Sequence, residues 1–287
     1  MRGGSIAQPA GLQSRPMTSL QAVVLAIVQA VTEFLPISST GHLILVPRFL
    51  GWPDQGLAFD VATHAGTLLA VLLYFRNDVI DLIQGFLTGK PRSMHVDFAP
   101  RPLAWQLILA TIPAGVAGLL FKDWISGEAR NPILIACTAI FYGLLLGWAD
   151  KRGEKYREIG SMTAGIALMI GVAQALALVP GTSRSGITMT AALLIGFTRP
   201  AAARFSFLLS IPITAAACAV EAIDVFQGAV DPSQYKAMAI ALVVSAIAGY
   251  VVIAGLLAWL RRQPLTVFVV YRVILGLVIL ATFGLAL

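Results

Sequence analysis

The chain has 287 residues, 58% of them hydrophobic and only 12% charged, with a mean hydropathy of +0.84. Soluble domains carry about 25% charged residues, so a water-soluble globule is excluded and an integral membrane protein is indicated. The net charge of +6 is spread over loops with no basic face interleaved with aromatics, which argues against nucleic acid as a partner. The apolar runs have helix length and lack the alternation of a membrane β-barrel, so the fold class is all-α. Cys137 and Cys218 both lie in apolar runs and are expected as free, buried thiols.

Residues 1–18 are polar, contain Gly and Pro, and lack an apolar signal core. They read as a disordered leader or an added extension, with Met17 an alternative start. From Leu20 the chain is apolar to Val31, then carries Thr32, Glu33, Pro36, Ser38, Ser39, Thr40, Gly41 and His42, and is apolar again to Leu50. Each arm, about 12–16 residues, is too short for roughly 30 Å of hydrocarbon, so 19–50 is expected to be a re-entrant helical hairpin. Irregular backbone at membrane depth is tolerated only where protein or a cavity surrounds it. Spans are expected at 58–75, 103–121 and 132–149, then a second interrupted segment at 161–196, then spans at 205–223, 237–260 and 265–285.

The chain therefore divides into a first repeat, 19–150, and a second, 151–287, each a hairpin plus three spans within one structural domain. The two halves share local patterns. VQAVTEFLPISSTGH (28–42) and AQALALVPGTSRSGI (173–187) both run from a glutamine through a proline to a Ser/Thr-rich turn and a glycine. FYGLLLG (141–147) and VYRVILG (270–276) share Tyr-x-x-x-Leu-Gly, whereas TIPAG (111–115) resembles SIPIT (210–214) out of step with this scheme. Lys151, Arg152, Lys155 and Arg157 mark one loop, Arg76, Lys90, Arg92 and Arg101 another, and Arg261 and Arg262 a third. The positive-inside rule puts these three in the cytoplasm. Three spans per half then set the halves upside down relative to each other, as an inverted-topology repeat whose polar turns meet inside the membrane.

VPGTSRSGIT (179–188) carries the densest chemistry. Glycines admit close backbone N–H groups, Ser183, Ser185 and Thr188 offer hydroxyls, and Arg184 presents a planar fork that matches phosphate. A helix beginning there adds a favourable dipole for an anion. Arginine in a membrane is costly, about 2.5–3.5 kcal/mol on insertion scales, so it is expected to bind a phosphate or to pair structurally with Glu33. Gln29 and Glu33 share one helix face, where a buried carboxylate can hold a divalent cation or act as a base. His42 is a candidate general acid, base or nucleophile. Ser38, Ser39 and Thr40 are either ligand donors or turn caps. Asp60 and His64, four apart, can form a relay or line the cavity mouth; Arg272 in the last span can contact a head group or snorkel to the cytoplasmic face.

These residues carry a resemblance. TEFLPISSTGHLILV (32–46), FDVATHAGTLLAVLLYFR (59–76), LVPGTSRSGITMTAALLIGFTR (178–199) and FSFLLSIP (205–212) resemble the undecaprenyl-diphosphate phosphatase family of bacteria, associated with bacitracin resistance. The likeness extends from Leu20 to the C-terminus. It implies hydrolysis of undecaprenyl diphosphate to the monophosphate carrier lipid of cell-wall synthesis, at a site open to the periplasmic side of the bacterial inner membrane. By position, the family's acidic signature falls on Gln29 and Glu33, its histidine on His42, and its hydroxyl turn on Ser38, Ser39 and Thr40. Its phosphate signature falls on Pro180, Gly181, Ser183, Arg184, Ser185, Gly186 and Thr188. Members depend on a divalent cation, commonly Mg2+ or Ca2+; Gln29 is the glutamine variant, leaving Glu33 as the main acidic ligand.

The expected catalytic set is Glu33, His42, Ser39 and Arg184. Phosphate is expected on Ser38, Thr40, Gly181, Ser183, Arg184, Ser185 and Thr188, metal on Glu33 and Gln29, and Asp60, His64 and Arg272 around the cavity. The partners are the lipid substrate and membrane lipids, with self-association left open. The alternative is a transporter that flips a polyprenyl phosphate or another anion, since inverted repeats with broken helices also characterise secondary transporters.

Overall fold

The computed structural model describes residues 17–52, 55–90, 97–122, 124, 129, 131–227 and 232–283, and every named element in it is a helix. The first half holds α1 (Ser19–Phe34), α2 (Ser39–Leu50), α3 (Leu57–Tyr74), α4 (Arg76–Thr88), α5 (Pro100–Leu120) and α6 (Pro132–Arg152). The second holds α7 (Ala164–Ala175), α8 (Arg184–Leu194), α9 (Arg199–Gln227), α10 (Tyr235–Leu260) and α11 (Thr266–Phe283). Six of these, α3, α5, α6, α9, α10 and α11, are long and apolar enough to cross a membrane. At 1.5 Å per residue, the 16 residues of α1 and the 12 of α2 measure about 24 and 18 Å, short of a span.

The two interrupted segments are built alike. Leu35 and Val179 precede Pro36 and Pro180, and both take extended backbone (ψ 144° and 116°), as a residue before proline must. That stops α1 and the 3-10 turn Leu176–Leu178 that prolongs α7. The next helix restarts after a serine held at positive φ, Ser38 at 76° and Ser183 at 71°. Each serine lies nine residues after a buried glutamine, Gln29 or Gln174. Backbone of this kind costs of order 1–3 kcal/mol and persists where its surroundings fix it.

Packing partners are exchanged between the halves. α1 lies against α10, and α7 against α5; α3 pairs with α10 and α9 with α5; α6 pairs with α11 and α3 with α9. The largest core cluster includes Phe34, Phe75, Phe205 and Phe207, with Phe34 edge-on to Phe207 at 5.6 Å. Acidic and basic groups tie one end of the bundle. Arg199 bonds Asp150 through Nε (2.5 Å) and Nη2 (3.1 Å), while Asp150 also accepts from the Leu265 N–H at 3.0 Å. Arg204 bonds Asp78 twice at 3.0 Å and Asp97 at 2.5 Å.

Three details depart from the sequence reading. The stretch 76–88, taken as loop, is α4; its apolar residues recur at helical spacing, but its charges lower the hydropathy that identified the other helices. Thr18, placed in the leader, caps α1 by accepting from the Gln21 N–H while the Gln21 side chain accepts from its own N–H. Residues 1–16 lie outside the described residues. The cysteines are free, but Cys137 is exposed and Cys218 only half-buried. In a bilayer the outer face of a helix is already apolar, so a thiol need not turn inward.

Candidate active site

Glu33, near the end of α1, is where the two interrupted segments meet. Ser39 and Arg184 are the first residues of α2 and α8, each directly after its positive-φ serine, and both reach this carboxylate. Arg184 Nη2 donates to Oε1 at 2.6 Å, Ser39 Oγ to Oε2 at 2.9 Å, and Gln29 Nε2 to Oε2 at 3.2 Å. The Arg184–Glu33 ion pair, entertained in the sequence as a structural alternative to phosphate binding, is thus present. It joins residues 151 apart and leaves the guanidinium with only 15% side-chain exposure.

A cavity of about 240 Å³ opens beside the pair. Its polar wall is Glu33, Ser38, Ser39, His64, Gly181, Ser183 and Arg184, with Gln174 behind; Ala114, Ala177, Leu178, Ile213, Thr214 and Ala217 form the rest. Two helix N-termini, of α2 and α8, therefore face one cavity, and such termini favour anions. Ser183 caps α8 by accepting from the Gly186 N–H at 3.2 Å. Gly181 holds φ at 91° and abuts α6 so closely that an added Cβ would overlap Thr138 and the Ile135 backbone, so no other residue fits this point of the turn.

The other expected residues divide by position. Ser185 Oγ donates to the Leu35 carbonyl at 3.2 Å, and Thr188 Oγ1 to the Arg184 carbonyl at 2.8 Å while meeting Ser206 Oγ at 2.7 Å. Both are buried, and both hydroxyls bind turns and helices together rather than line the cavity. The Thr40 side chain lies outside the described residues. His64 donates from Nδ1 to the Asp60 carbonyl at 2.8 Å and lines the cavity, whereas Asp60, whose Oδ1 accepts from Gln55 at 3.1 Å, lies away from its wall. His42 is one turn past Ser39. Its Nδ1 donates to the Ser38 carbonyl at 2.6 Å, and its Nε2 meets Tyr271 Oη at 2.5 Å, with the two rings stacked.

Arg272 is wholly buried. Its guanidinium donates to four carbonyls, Ala139 and Gly181 at 3.0 Å, Thr182 at 2.9 Å and Pro36 at 3.3 Å. Two belong to the second turn and one to the first, so this side chain fastens the turns to each other and to α6. Neither a head-group contact nor snorkelling describes it. Gly143 makes room, since a Cβ there would stand 3.0 Å from the Arg272 Cβ.

Sequence reasoning missed two residues. Gln174 is buried at the cavity, its Nε2 3.4 Å from the Ala110 carbonyl and its Oε1 without a hydrogen-bond partner; its trace in the sequence was the glutamine shared by both halves. Tyr271 is the tyrosine of the Tyr-x-x-x-Leu-Gly pattern shared by both halves, but its pairing with His42, 229 residues away, left no trace.

Comparison with known proteins covers nearly the whole chain. The profile of the family described as Bacitracin resistance protein BacA matches residues 22–278. The undecaprenyl-diphosphatase of Magnetococcus marinus is 50% identical over 270 residues, covering 93% of this chain and 100% of the relative. Undecaprenyl-diphosphatase 2 of Stutzerimonas stutzeri is 50% identical over 271 residues, covering 93% and 99%. The undecaprenyl-diphosphatase of Trichlorobacter lovleyi is 46% identical over 274 residues, covering 94% and 99%.

Proposed function

The chain belongs to the family of the bacitracin resistance protein BacA, and from that premise we propose how its residues perform the reaction for which its relatives are named. It is an undecaprenyl-diphosphatase, hydrolysing undecaprenyl diphosphate to undecaprenyl phosphate and inorganic phosphate and so recycling the carrier lipid of cell-wall synthesis. The observation that carries the mechanism is the convergence of Ser39 and Arg184, from two separate turns, on Glu33. A hydroxyl donating to a carboxylate is the arrangement of a nucleophile and its base.

In this reading the terminal phosphate enters between the N-termini of α2 and α8, and Arg184 turns part of its fork from Glu33 to the phosphoryl oxygens. Ser183 and nearby N–H groups supply further donors, stabilising charge that grows in the transition state. Ser39 Oγ attacks the terminal phosphorus as Glu33 takes its proton. The bond from phosphorus to the bridging oxygen breaks, and undecaprenyl phosphate leaves with the electron pair. Water then attacks the phosphoserine, with Glu33 returning a proton to Ser39 as inorganic phosphate departs. His42 acts through Ser38, fixing the turn by its bond to the Ser38 carbonyl, with Tyr271 holding the other ring nitrogen.

The divalent cation implied by the family fits this donor set as a companion of the substrate. Mg2+ is usually held by one or two carboxylates together with substrate phosphates. The chain supplies one carboxylate, Glu33, and beside it a buried amide oxygen without a hydrogen-bond partner, Gln29 Oε1. Among the described residues no group of three or more His, Cys, Asp or Glu forms a separate cage. When bound there, Mg2+ or Ca2+ supplies charge neutralisation of the diphosphate.

The fold serves this reading as an inverted repeat in which each half contributes one re-entrant hairpin. The exchanged packing of α1 on α10 and α7 on α5, and the matching positive-φ serines, support it. The Lys/Arg-rich loops are placed in the cytoplasm by their charge, and a site open to the periplasmic side of the inner membrane is what the family resemblance implies. The transporter alternative gains no support, since the relatives above are named for hydrolysis. Acid-quenched protein incubated with terminally labelled undecaprenyl diphosphate tests the mechanism: label is expected on Ser39 in the wild type and absent from Ser39→Ala. A Ser39→Ala enzyme that hydrolyses at the wild-type rate would rule out Ser39 as nucleophile.

A further inference from the structure

The related pentapeptides TIPAG (111–115) and SIPIT (210–214) have no role in the chemistry above. Both lie inside helices, in α5 and α9, with Pro113 and Pro212 at their centres. α5 and α9 run side by side from the same end, where Asp97, just before α5, is bonded to Arg204 in the second turn of α9. Proline has no N–H to complete the helical ladder and bends the helix away from it. The main core cluster contains Leu103, Ala104, Leu107 and Ala110 of α5 and the apolar residues of α9 from Ala201 to Leu209, and it stops just before each proline. Both helices keep an exposed face, but past the prolines burial fades: among the described residues of α5 and α9 only Ala114 and Thr214 beyond them are buried, while Leu119 is 73% exposed and Ile223 56%.

The residues directly after the prolines, Ala114 on α5 and Ile213 and Thr214 on α9, belong to the wall of the catalytic cavity, as does Ala217 one turn later. Glu33 and Arg184 line the same cavity. One cavity thus joins an ion pair to apolar side chains of α5 and α9, and one of the latter, Ala217, is exposed on the outside of the bundle. Enclosed ligand sites measure about 300–1,000 Å³, so a cavity of about 240 Å³ holds a diphosphate and the start of a chain, not an undecaprenyl tail. The tail must leave.

We propose that the polyprenyl tail of the substrate leaves the phosphate site sideways into the bilayer, through the fork between α5 and α9 beyond Pro113 and Pro212. Small side chains at Ala114 and Ala217 keep that fork open, and the paired prolines spread it. The inference rests on the cavity being the phosphatase site.

The test uses the full chain in lipid–detergent micelles with an undecaprenyl phosphate analogue carrying a diazirine in its second isoprene unit. After irradiation, adducts are expected on residues 113–120 and 213–220; adducts confined to α3, α10 or α11 would overturn the route. A kinetic arm uses Ala217→Trp, expected to raise KM for undecaprenyl diphosphate about tenfold more than KM for isopentenyl diphosphate, in the range one apolar pocket contact commands. Val243→Trp, on the exposed face of α10, is expected to change neither. Equal loss on both substrates, or no change on either, would overturn the route. A wild-type protein that releases phosphate from neither substrate would instead overturn the phosphatase reading beneath it.

Discussion

Arg272→Met removes the group that fastens the two turns, and the cost can be worked from its partners. The Ala139 carbonyl lies within α6 and keeps its helical bond, but the Pro36, Gly181 and Thr182 carbonyls lie in the turns, outside any helical ladder. Leaving a buried acceptor unsatisfied costs about 1–3 kcal/mol, so three of them at the low end give about 3 kcal/mol. Against this stands the competing effect that replacing a buried charge by an apolar side chain is often neutral or stabilising. The acceptors here are backbone and stay behind, so the loss is expected to win. At about 2–4 °C per kcal/mol for chains of this size, the thermal midpoint in detergent should fall by roughly 6–12 °C. Phosphate release should fall further than stability, since displacing reacting groups by about 1 Å can cost 10²-fold. Arg272→Lys keeps the charge but not the planar fork, and should recover midpoint more than rate. An Arg272→Met protein with wild-type midpoint and rate would refute the clamp.

Other perturbations follow from the same geometry. Arg184→Ala should lower kcat by about 10²–10³, the effect of one lost oxyanion donor, with binding of the lipid tail retained; stopped phosphate-release assays measure it. Glu33→Gln should lower kcat by about 10²–10⁴, the range for a lost general base, and phosphate release at saturating substrate measures it. Gln29→Glu adds a second carboxylate four residues from Glu33 and should reduce the Mg2+ concentration for half-maximal activity, measured by titration after chelation; an unchanged requirement would place the cation elsewhere. Ser183→Ala removes a helix cap worth about 0.5–2 kcal/mol, whereas Ser38→Gly, whose serine makes no cap bond, should leave the thermal midpoint unchanged or slightly raised.

The features legible in the sequence were those that break a local pattern. Six long apolar runs, two short-armed interruptions and the polar turns within them stand out because charge and proline are rare in such surroundings. The pairing of Glu33 with Arg184 could be entertained, since each is an ion in search of a partner. The role of Arg272 could not, because its partners are backbone carbonyls that leave no mark on residue identity. Ser185 and Thr188 show the reverse limit. Their residue types suit phosphate, yet their hydroxyls are used on the Leu35 and Arg184 carbonyls, a choice that only packing makes. α4 escaped notice because its charges mask a helical period.

The central claim is that one turn holds the phosphate and the other attacks it, with Glu33 between them. Phosphate release from undecaprenyl diphosphate by purified wild type, Ser39→Ala and Arg184→Ala, each with its thermal midpoint, tests this most directly. The account predicts a robust wild-type rate and a loss of at least about 10²-fold in both variants with their folded state retained. Near-wild-type turnover in either variant would contradict it.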